Sequence, residues 1–128
     1  MRLTSIVLCF SLLACNGSPT EPRAGAITDG RWTGDGACLM VQTTSTLIVG
    51  CGHGEFPTPT LRSDGTFDVD GTYRIEAGPV STDPPPPAHY SGSLTNTTLT
   101  LRVAPMSGAV ATYHLRMDAN GTCGPRCL

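Results

Sequence analysis

From residue 29 onward the chain has no stretch with a 3.6-residue hydrophobic period. Apolar and polar residues alternate instead, and a turn signal recurs roughly every 8–12 positions, the pattern of an all-β chain. The cleanest segment is 66–76. Phe67, Val69, Gly71, Tyr73 and Ile75 share one side, while Thr66, Asp68, Asp70, Thr72, Arg74 and Glu76 share the other. One face is then buried and one wet, as in an antiparallel sheet. Asp64-Gly65 ahead of it is a strong tight-turn signal.

Further strands are expected at 31–35, 37–43, 46–51, 56–61, 88–95, 97–104 and 112–118. Leu47-Ile48-Val49 is a continuous apolar run, so that strand should be covered on both faces. A meander of about eight short strands commonly closes on itself to remove its edges. The expected fold is a small antiparallel up-and-down β-barrel of about eight strands, with a β-sandwich as the alternative. Its inward set includes Trp32, Leu39, Val41, Leu47, Phe67, Tyr73, Ile75, Tyr90, Leu99, Leu101, Leu115 and Met117. A barrel of this size is filled by its own side chains or holds one small ligand. The best-defined strands carry no inward charge, which favours a filled core over a specific pocket.

The 128 residues allow one domain. Charged residues are only 14% of the chain, every basic residue is Arg, and the formal net charge is −2. That leaves no basic patch for phosphate, so nucleic acid is not an expected partner. Glu, Lys and Ala at heptad spacing are missing, which excludes a long coiled coil. The 15 Gly and 11 Pro fall largely in turns and in a few distinct stretches. Phe56-Pro57-Thr58-Pro59-Thr60 can pair on one side only and belongs at an edge or bulge. Asp83-Pro84-Pro85-Pro86-Pro87, inside 77–88, reads as an exposed stiff connection of polyproline character, or as a docking segment for an aromatic groove.

The N-terminus reads as an address. Met1-Arg2-Leu3-Thr4 carries one positive charge, and 5–14 is an apolar run. A run of about ten residues is too short to span a bilayer but suits a signal-peptide core. Leu12-Leu13-Ala14-Cys15 resembles the bacterial lipobox, with an aliphatic residue at −3 and a small residue before the cysteine. That resemblance implies cleavage before Cys15, diacylation of its thiol and acylation of the new N-terminus. Three acyl chains exceed the two signals that stable anchoring needs. The other reading is an ordinary secretory signal with Cys15 incidental. The polar Gly/Pro stretch from Asn16 onward suits a tether. Asn16 is not the Asp that marks inner-membrane retention in enteric bacteria, which favours the outer membrane. The expected organisation is a signal peptide at 1–14, a lipidated Cys and flexible tether at 15–28, and a barrel domain at 29–128.

Six cysteines are present. Cys9 lies in the signal, and Cys15 is the lipid acceptor on the lipobox reading. Cys38, Cys51, Cys123 and Cys127 should form two disulfides in an exported domain, with three possible pairings. A strict up-and-down topology puts Cys38 and Cys51 at one end and the terminus at the other, giving Cys38–Cys51 and Cys123–Cys127. The tail from Asp118 is long enough to run back along the barrel, which keeps the other pairings open.

No catalytic residue, cofactor or metal is expected. Cys51-Gly52-His53-Gly54-Glu55 offers zinc-type ligands on one strand, but an exported cysteine is oxidised and the spacing is not a standard one. Thr66-x-Asp68-x-Asp70-Gly71 approaches a calcium loop, yet Thr66 holds position 1 and Ala77 position 12. His89 and His114 alternate outward and read as solvated. There is no nucleophile elbow, phosphate-binding Gly loop or His-Glu-x-x-His.

Gly30-Arg31-Trp32 resembles the Gly-x-Trp that opens lipocalins, avidins and the small bacterial protease-inhibitor barrels. In lipocalins the Trp packs under a basic residue of the last strand. Arg116 lies on that strand, but on the face opposite Tyr113, Leu115 and Met117, which departs from such a clamp. A broader likeness covers most of the body. Gly30-x-Trp32, Cys51-x-His53-Gly54, Leu61-x-x-Asp64-Gly65-x-Phe67-x-Val69-x-Gly71-Thr72-Tyr73, Tyr90-Ser91-Gly92, Leu99-Thr100-Leu101 and Cys127-Leu128 are similar to a family of uncharacterised bacterial lipoproteins. The likeness implies an envelope location and a lipocalin- or avidin-like barrel. Because it includes Cys51 and Cys127, it also implies Cys51–Cys127 with Cys38–Cys123. The expected function is that of a non-enzymatic, membrane-anchored lipoprotein. It would be a monomer, held to the membrane only through Cys15, with a protein-interaction or inhibitor-like barrel for an envelope partner. The alternative is a barrel for a small hydrophobic ligand; an enzyme at Cys51-His53-Glu55 ranks last.

Overall fold

Period-two alternation leaves each strand with one apolar face, and a closed sheet buries all those faces against each other. A computed structural model describes residues 25–76, 78–79, 81–118, 123 and 127. Its strands are β1 Gly30–Gly34, β2 Ala37–Val41, β3 Thr44–Val49, β4 Gly52–Pro57, β5 Thr66–Ile75, β6 Pro87–Thr95, β7 Thr98–Pro105 and β8 Ala111–Met117. Each pairs antiparallel with its chain neighbours and β8 returns to β1, so the sheet is a closed eight-stranded up-and-down barrel. The expected barrel is the fold, and the sandwich alternative is set aside. Asp35-Gly36 joins β1 to β2 with φ of 50° and 77°. Those are the two left-handed conformations of a type I′ hairpin turn.

The fourth strand departs from expectation: it occupies Gly52–Pro57, not 56–61. Gly52 and Gly54 look like breakers in sequence, but the barrel interior requires them. A Cβ on Gly52 would lie 2.0 Å from the Tyr73 hydroxyl, and one on Gly54 would lie 2.0 Å from the Tyr90 hydroxyl. Both phenols occupy space over the inner face of β4 that a side chain there would fill. The third strand ends at Val49 because Gly50, at φ 55°, and Cys51 make the turn.

Leu39, Val41, Leu47, Tyr90, Leu99, Leu101 and Leu115 have no exposed surface. Phe56 stacks on Tyr90, with ring centroids 4.3 Å apart and planes 30° apart. The Tyr90 hydroxyl donates to the Thr72 carbonyl at 2.6 Å. Burial pushes this phenol far above its ordinary titration range, so it stays a neutral donor. Ser45 is a buried polar residue and its hydroxyl is satisfied. Thr58 Oγ1 donates to the Gln42 carbonyl, so Ser45 Oγ donates to Thr58 Oγ1, 2.5 Å away. Two expected core residues are not core: Ile75 is 62% and Met117 38% exposed. Both have inward parity, but each is the last residue of its strand, where the barrel wall stops.

Antiparallel neighbours alternate in direction, so alternate connections share an end. The β1–β2, β3–β4, β5–β6 and β7–β8 connections form an upper rim. The β2–β3, β4–β5 and β6–β7 connections form the lower end, where the chain enters β1. Ala26 bridges to Thr60 at that lower end. The Leu61 amide donates to the Gly25 carbonyl at 2.7 Å. Ile27 and Leu61 are buried there, and the Trp32 indole donates to the Thr28 carbonyl at 2.9 Å. Ile27, expected within the tether, is therefore part of the barrel's core. One apolar residue, Ile27, makes no period, so alternation could not detect it.

Cys38 is bonded to Cys123 and Cys51 to Cys127. Cys38 sits on the outer face of β2 beside Ile48, and Cys51 lies in the β3–β4 turn at the upper rim. Asp118 follows β8 at the lower end, whereas Cys127 is bonded to Cys51 at the upper rim. Strict up-and-down pairing assumed that Cys127 would stay at the lower end.

Replacing Cys38 and Cys123 together by Ser removes a link across 85 residues of sequence. It is expected to cost about 2–5 kcal/mol of unfolding free energy. Gly54→Ala is expected to cost about 1–3 kcal/mol by overpacking the interior. Urea unfolding checks both, with far-UV circular dichroism retaining a β spectrum in each variant.

Candidate functional site

Alternation also decides what a partner can reach. On the inner face Trp32, Leu39, Leu47 and Tyr90 are buried, while Val49, Tyr73 and Tyr113 are only partly buried. On the outer face the register sets Asp70 of β5 opposite His89 of β6 and Asp68 opposite Ser91. His89 Nδ1 lies 2.7 Å from Asp70 Oδ1, and its Nε2 lies 3.9 Å from Asp68 Oδ1. Arg62, from the β4–β5 connection, pairs with Asp68. That hydrogen bond lowers the Asp68 carboxyl below its usual range and lifts the Arg62 guanidinium. Asp64 accepts the Thr66 hydroxyl at 2.6 Å and the Thr66 amide at 3.0 Å, and both hold its carboxyl low. The segment that approached a calcium loop is therefore a strand whose acids are engaged by neighbouring side chains.

His53, outward on β4, has Nε2 3.7 Å from Glu55 and Nδ1 3.6 Å from Glu76. Cys51 is half of a disulfide and offers no thiolate. Cys51, His53 and Glu55 thus do not converge on a metal. Among the described residues no group of three or more His, Cys, Asp or Glu is arranged to hold one.

The β1–β8 seam holds a cluster that the sequence reading missed. These strands pair only at Trp32–Met117 and Thr33–Arg116. Below that short ladder the Asp118 amide donates to the Arg31 carbonyl at 2.8 Å. Arg31 returns its guanidinium to the Asp118 carboxylate and its Nε to the Asp118 carbonyl. Above it, Asp35 Oδ2 accepts the His114 amide at 2.8 Å and faces His114 Nδ1 at 3.0 Å. The amide first, and the ring second, hold the Asp35 carboxyl below its usual range. Gly34 permits the approach, since a Cβ there would lie 1.9 Å from the His114 carbonyl oxygen. Asp35-Gly36 was a readable turn signal, but the role of its carboxylate depends on a strand far along the chain. His114, expected to be simply solvated, is part of this lock. Arg116 lies opposite Thr33 and Thr98 on the outer face, and Trp32 uses the Thr28 carbonyl, so no Trp–Arg clamp forms.

The upper rim is the apolar end. Ile75, Met106 and Val110 are exposed there. Tyr73 and Tyr113 are half-buried below them, and burial raises both phenols. Arg74 donates to the Asp83 carbonyl. The Tyr73 amide donates to the Pro86 carbonyl and the Met106 amide to the Pro87 carbonyl, each at 3.0 Å. Beside them is an open groove of about 410 Å3, lined by Asp70, Pro87, Ala88, His89, Ala104 and Met106. Cys15, the expected lipid acceptor, lies outside the described residues.

Fold and site together define the class: a small closed eight-stranded barrel with a disulfide-fastened tail, an architecture consistent with ligand or protein binding. No protein-family model, no curated protein and no solved structure matches the chain.

A carboxyl lowered in the folded state contributes stability that is complete above the usual carboxylate range. That contribution is lost as pH falls through the lowered value. Asp35→Ala is therefore expected to lower the urea midpoint at neutral pH and to flatten its decline between about pH 5 and pH 2. Midpoints measured across that range for both proteins check it.

Proposed function

We propose that this chain is a cell-envelope lipoprotein, anchored through acyl groups on Cys15, whose barrel binds a protein partner and catalyses nothing. The observation that carries the protein-binding part is the packed middle of the interior. Tyr90 and Phe56 stack across it with almost no exposed surface, amid the fully buried Leu39, Leu47, Leu101 and Leu115. A lipocalin-like site needs that space empty. The partner would meet the outer face or the upper rim, as an inhibitor-like barrel meets its target. Two disulfides suit an oxidising compartment, and the lipobox likeness at Leu12-Leu13-Ala14-Cys15 supports the anchor. Asn16 supports the outer membrane over the inner one. On this reading the tether meets the barrel at its lower end, where Gly25 and Ala26 enter. Residues 16–24 reach at most about 30 Å when fully extended. The upper rim then faces away from the bilayer, and no nucleic acid or cofactor takes part.

Cys15→Ala is expected to move the protein from the membrane pellet to the soluble fraction; retention in the pellet would end the anchor reading. A second measurement addresses the interior. A hydrophobic dye such as 8-anilinonaphthalene-1-sulfonate is expected to show no saturable one-to-one binding to the folded barrel. Saturable binding that is competed by a fatty acid would restore the small-ligand alternative.

A further inference from the structure

We propose that Pro84, Pro85 and Pro86, with the neighbouring Met106, form a docking ridge for a partner protein that carries an aromatic-lined groove. The proposal rests on the protein-binding reading above and names the surface and the kind of partner.

Consecutive prolines fix φ near −65° and keep each preceding residue extended, so Asp83-Pro84-Pro85-Pro86-Pro87 is held as a polyproline II segment by covalent geometry. Every described peptide bond is trans. The segment is also pinned at both ends. Arg74 holds the Asp83 carbonyl, the Tyr73 amide holds that of Pro86, and the Met106 amide holds that of Pro87. Between these anchors, the carbonyls of Pro84 and Pro85 have no partner among the described residues. Residues 81–87 are all exposed, and Met106 beside them is 76% exposed.

This offers proline ring edges and carbonyl acceptors, with no N–H from Pro84 to Pro87. The matching surface has aromatic faces for the rings and indole N–H or phenol O–H donors for the carbonyls. A ridge that is already ordered loses little conformational entropy on binding. The groove beside Pro87 gives one ring of the partner a seat against Pro87, Ala104 and Met106. A stiff connector alone does not account for the length of the loop. The register pairs Thr72 with Pro87, and two residues suffice for a hairpin. Yet residues 76–86 separate the end of β5 from the start of β6, whose connection belongs to the upper rim.

The test is photo-crosslinking in intact cells that make the full chain, with p-benzoylphenylalanine in place of exposed Thr82. Thr97, exposed in the lower β6–β7 turn, is the control position. A protein adduct is expected from position 82 and not from 97, with the attached partner peptide containing Trp or Tyr. The purified partner should then bind the Pro84→Ala, Pro85→Ala double variant at least ten-fold more weakly, while circular dichroism shows an unchanged barrel. No adduct from position 82, an adduct to lipid only, or a partner that binds the double variant equally well would overturn the ridge. A partner captured only from position 97 would overturn the ridge and leave the protein-binding reading standing. Silence at both positions would count against both.

Discussion

The barrel depends on the seam between β1 and β8. It is the shortest ladder in the wall, two residue pairs, yet without it the sheet opens and leaves two unpaired edges. Three local features make closure possible. Gly34 lets the His114 carbonyl come within a distance that any side chain would block. Asp35 accepts the His114 amide just beyond the last residue of β1, so a side chain continues the ladder where the strand stops. Arg31 and Asp118 secure the lower end through both side chains and backbone. Closure is therefore achieved by polar groups flanking a minimal ladder, not by the ladder itself.

Once the wall is closed, its contents follow from an exchange of volume between strands. Gly52 and Gly54 leave the inner face of β4 bare, and Tyr73 and Tyr90 lie over it. Phe56 then stacks on Tyr90, and the Tyr90 hydroxyl finds the Thr72 carbonyl. The two ends differ for a related reason. Ile27 and Leu61 are buried at the lower end, beside the Ala26–Thr60 bridge. At the upper rim Ile75, Met106 and Val110 stay exposed. Cys123 and Cys127, after the last strand, are fastened to Cys38 of β2 and to Cys51 in the β3–β4 turn.

Much of this was readable in the sequence, and the failures have physical causes. Alternation located β5, β6, β7 and β8 to within a residue or two, because long two-faced strands carry a strong period. It misplaced β4, because glycine there answers to tyrosines on other strands rather than to local propensity. It placed Ile75 and Met117 inside because parity says which way a residue points, not whether an opposite wall covers it. It missed Ile27, a single apolar residue in a polar stretch. The disulfide pairs could not be derived from topology alone, since strand order says nothing of where Cys123 and Cys127 go after the last strand. The proline run was readable as an exposed segment, but its pinned ends depend on Tyr73, Arg74 and Met106.

The distribution of satisfied and unsatisfied groups separates the two surfaces a partner could use. On the outer face several charges answer each other: Arg62 with Asp68, His89 with Asp70, His114 with Asp35, Arg31 with Asp118. A partner that recruits these paired groups must break an existing contact for each one it makes, and exposed ion pairs return little in exchange. The upper rim is different. Its exposed apolar side chains gain from any dry contact, and the Pro84 and Pro85 carbonyls gain partners without losing any. The ridge is held rigid before binding, so ordering it adds little cost. On the protein-binding proposal, affinity is concentrated on the upper rim, opposite the end where Gly25 and Ala26 lie. A partner docked there leaves the buried Ile27 and Leu61 at the lower end undisturbed.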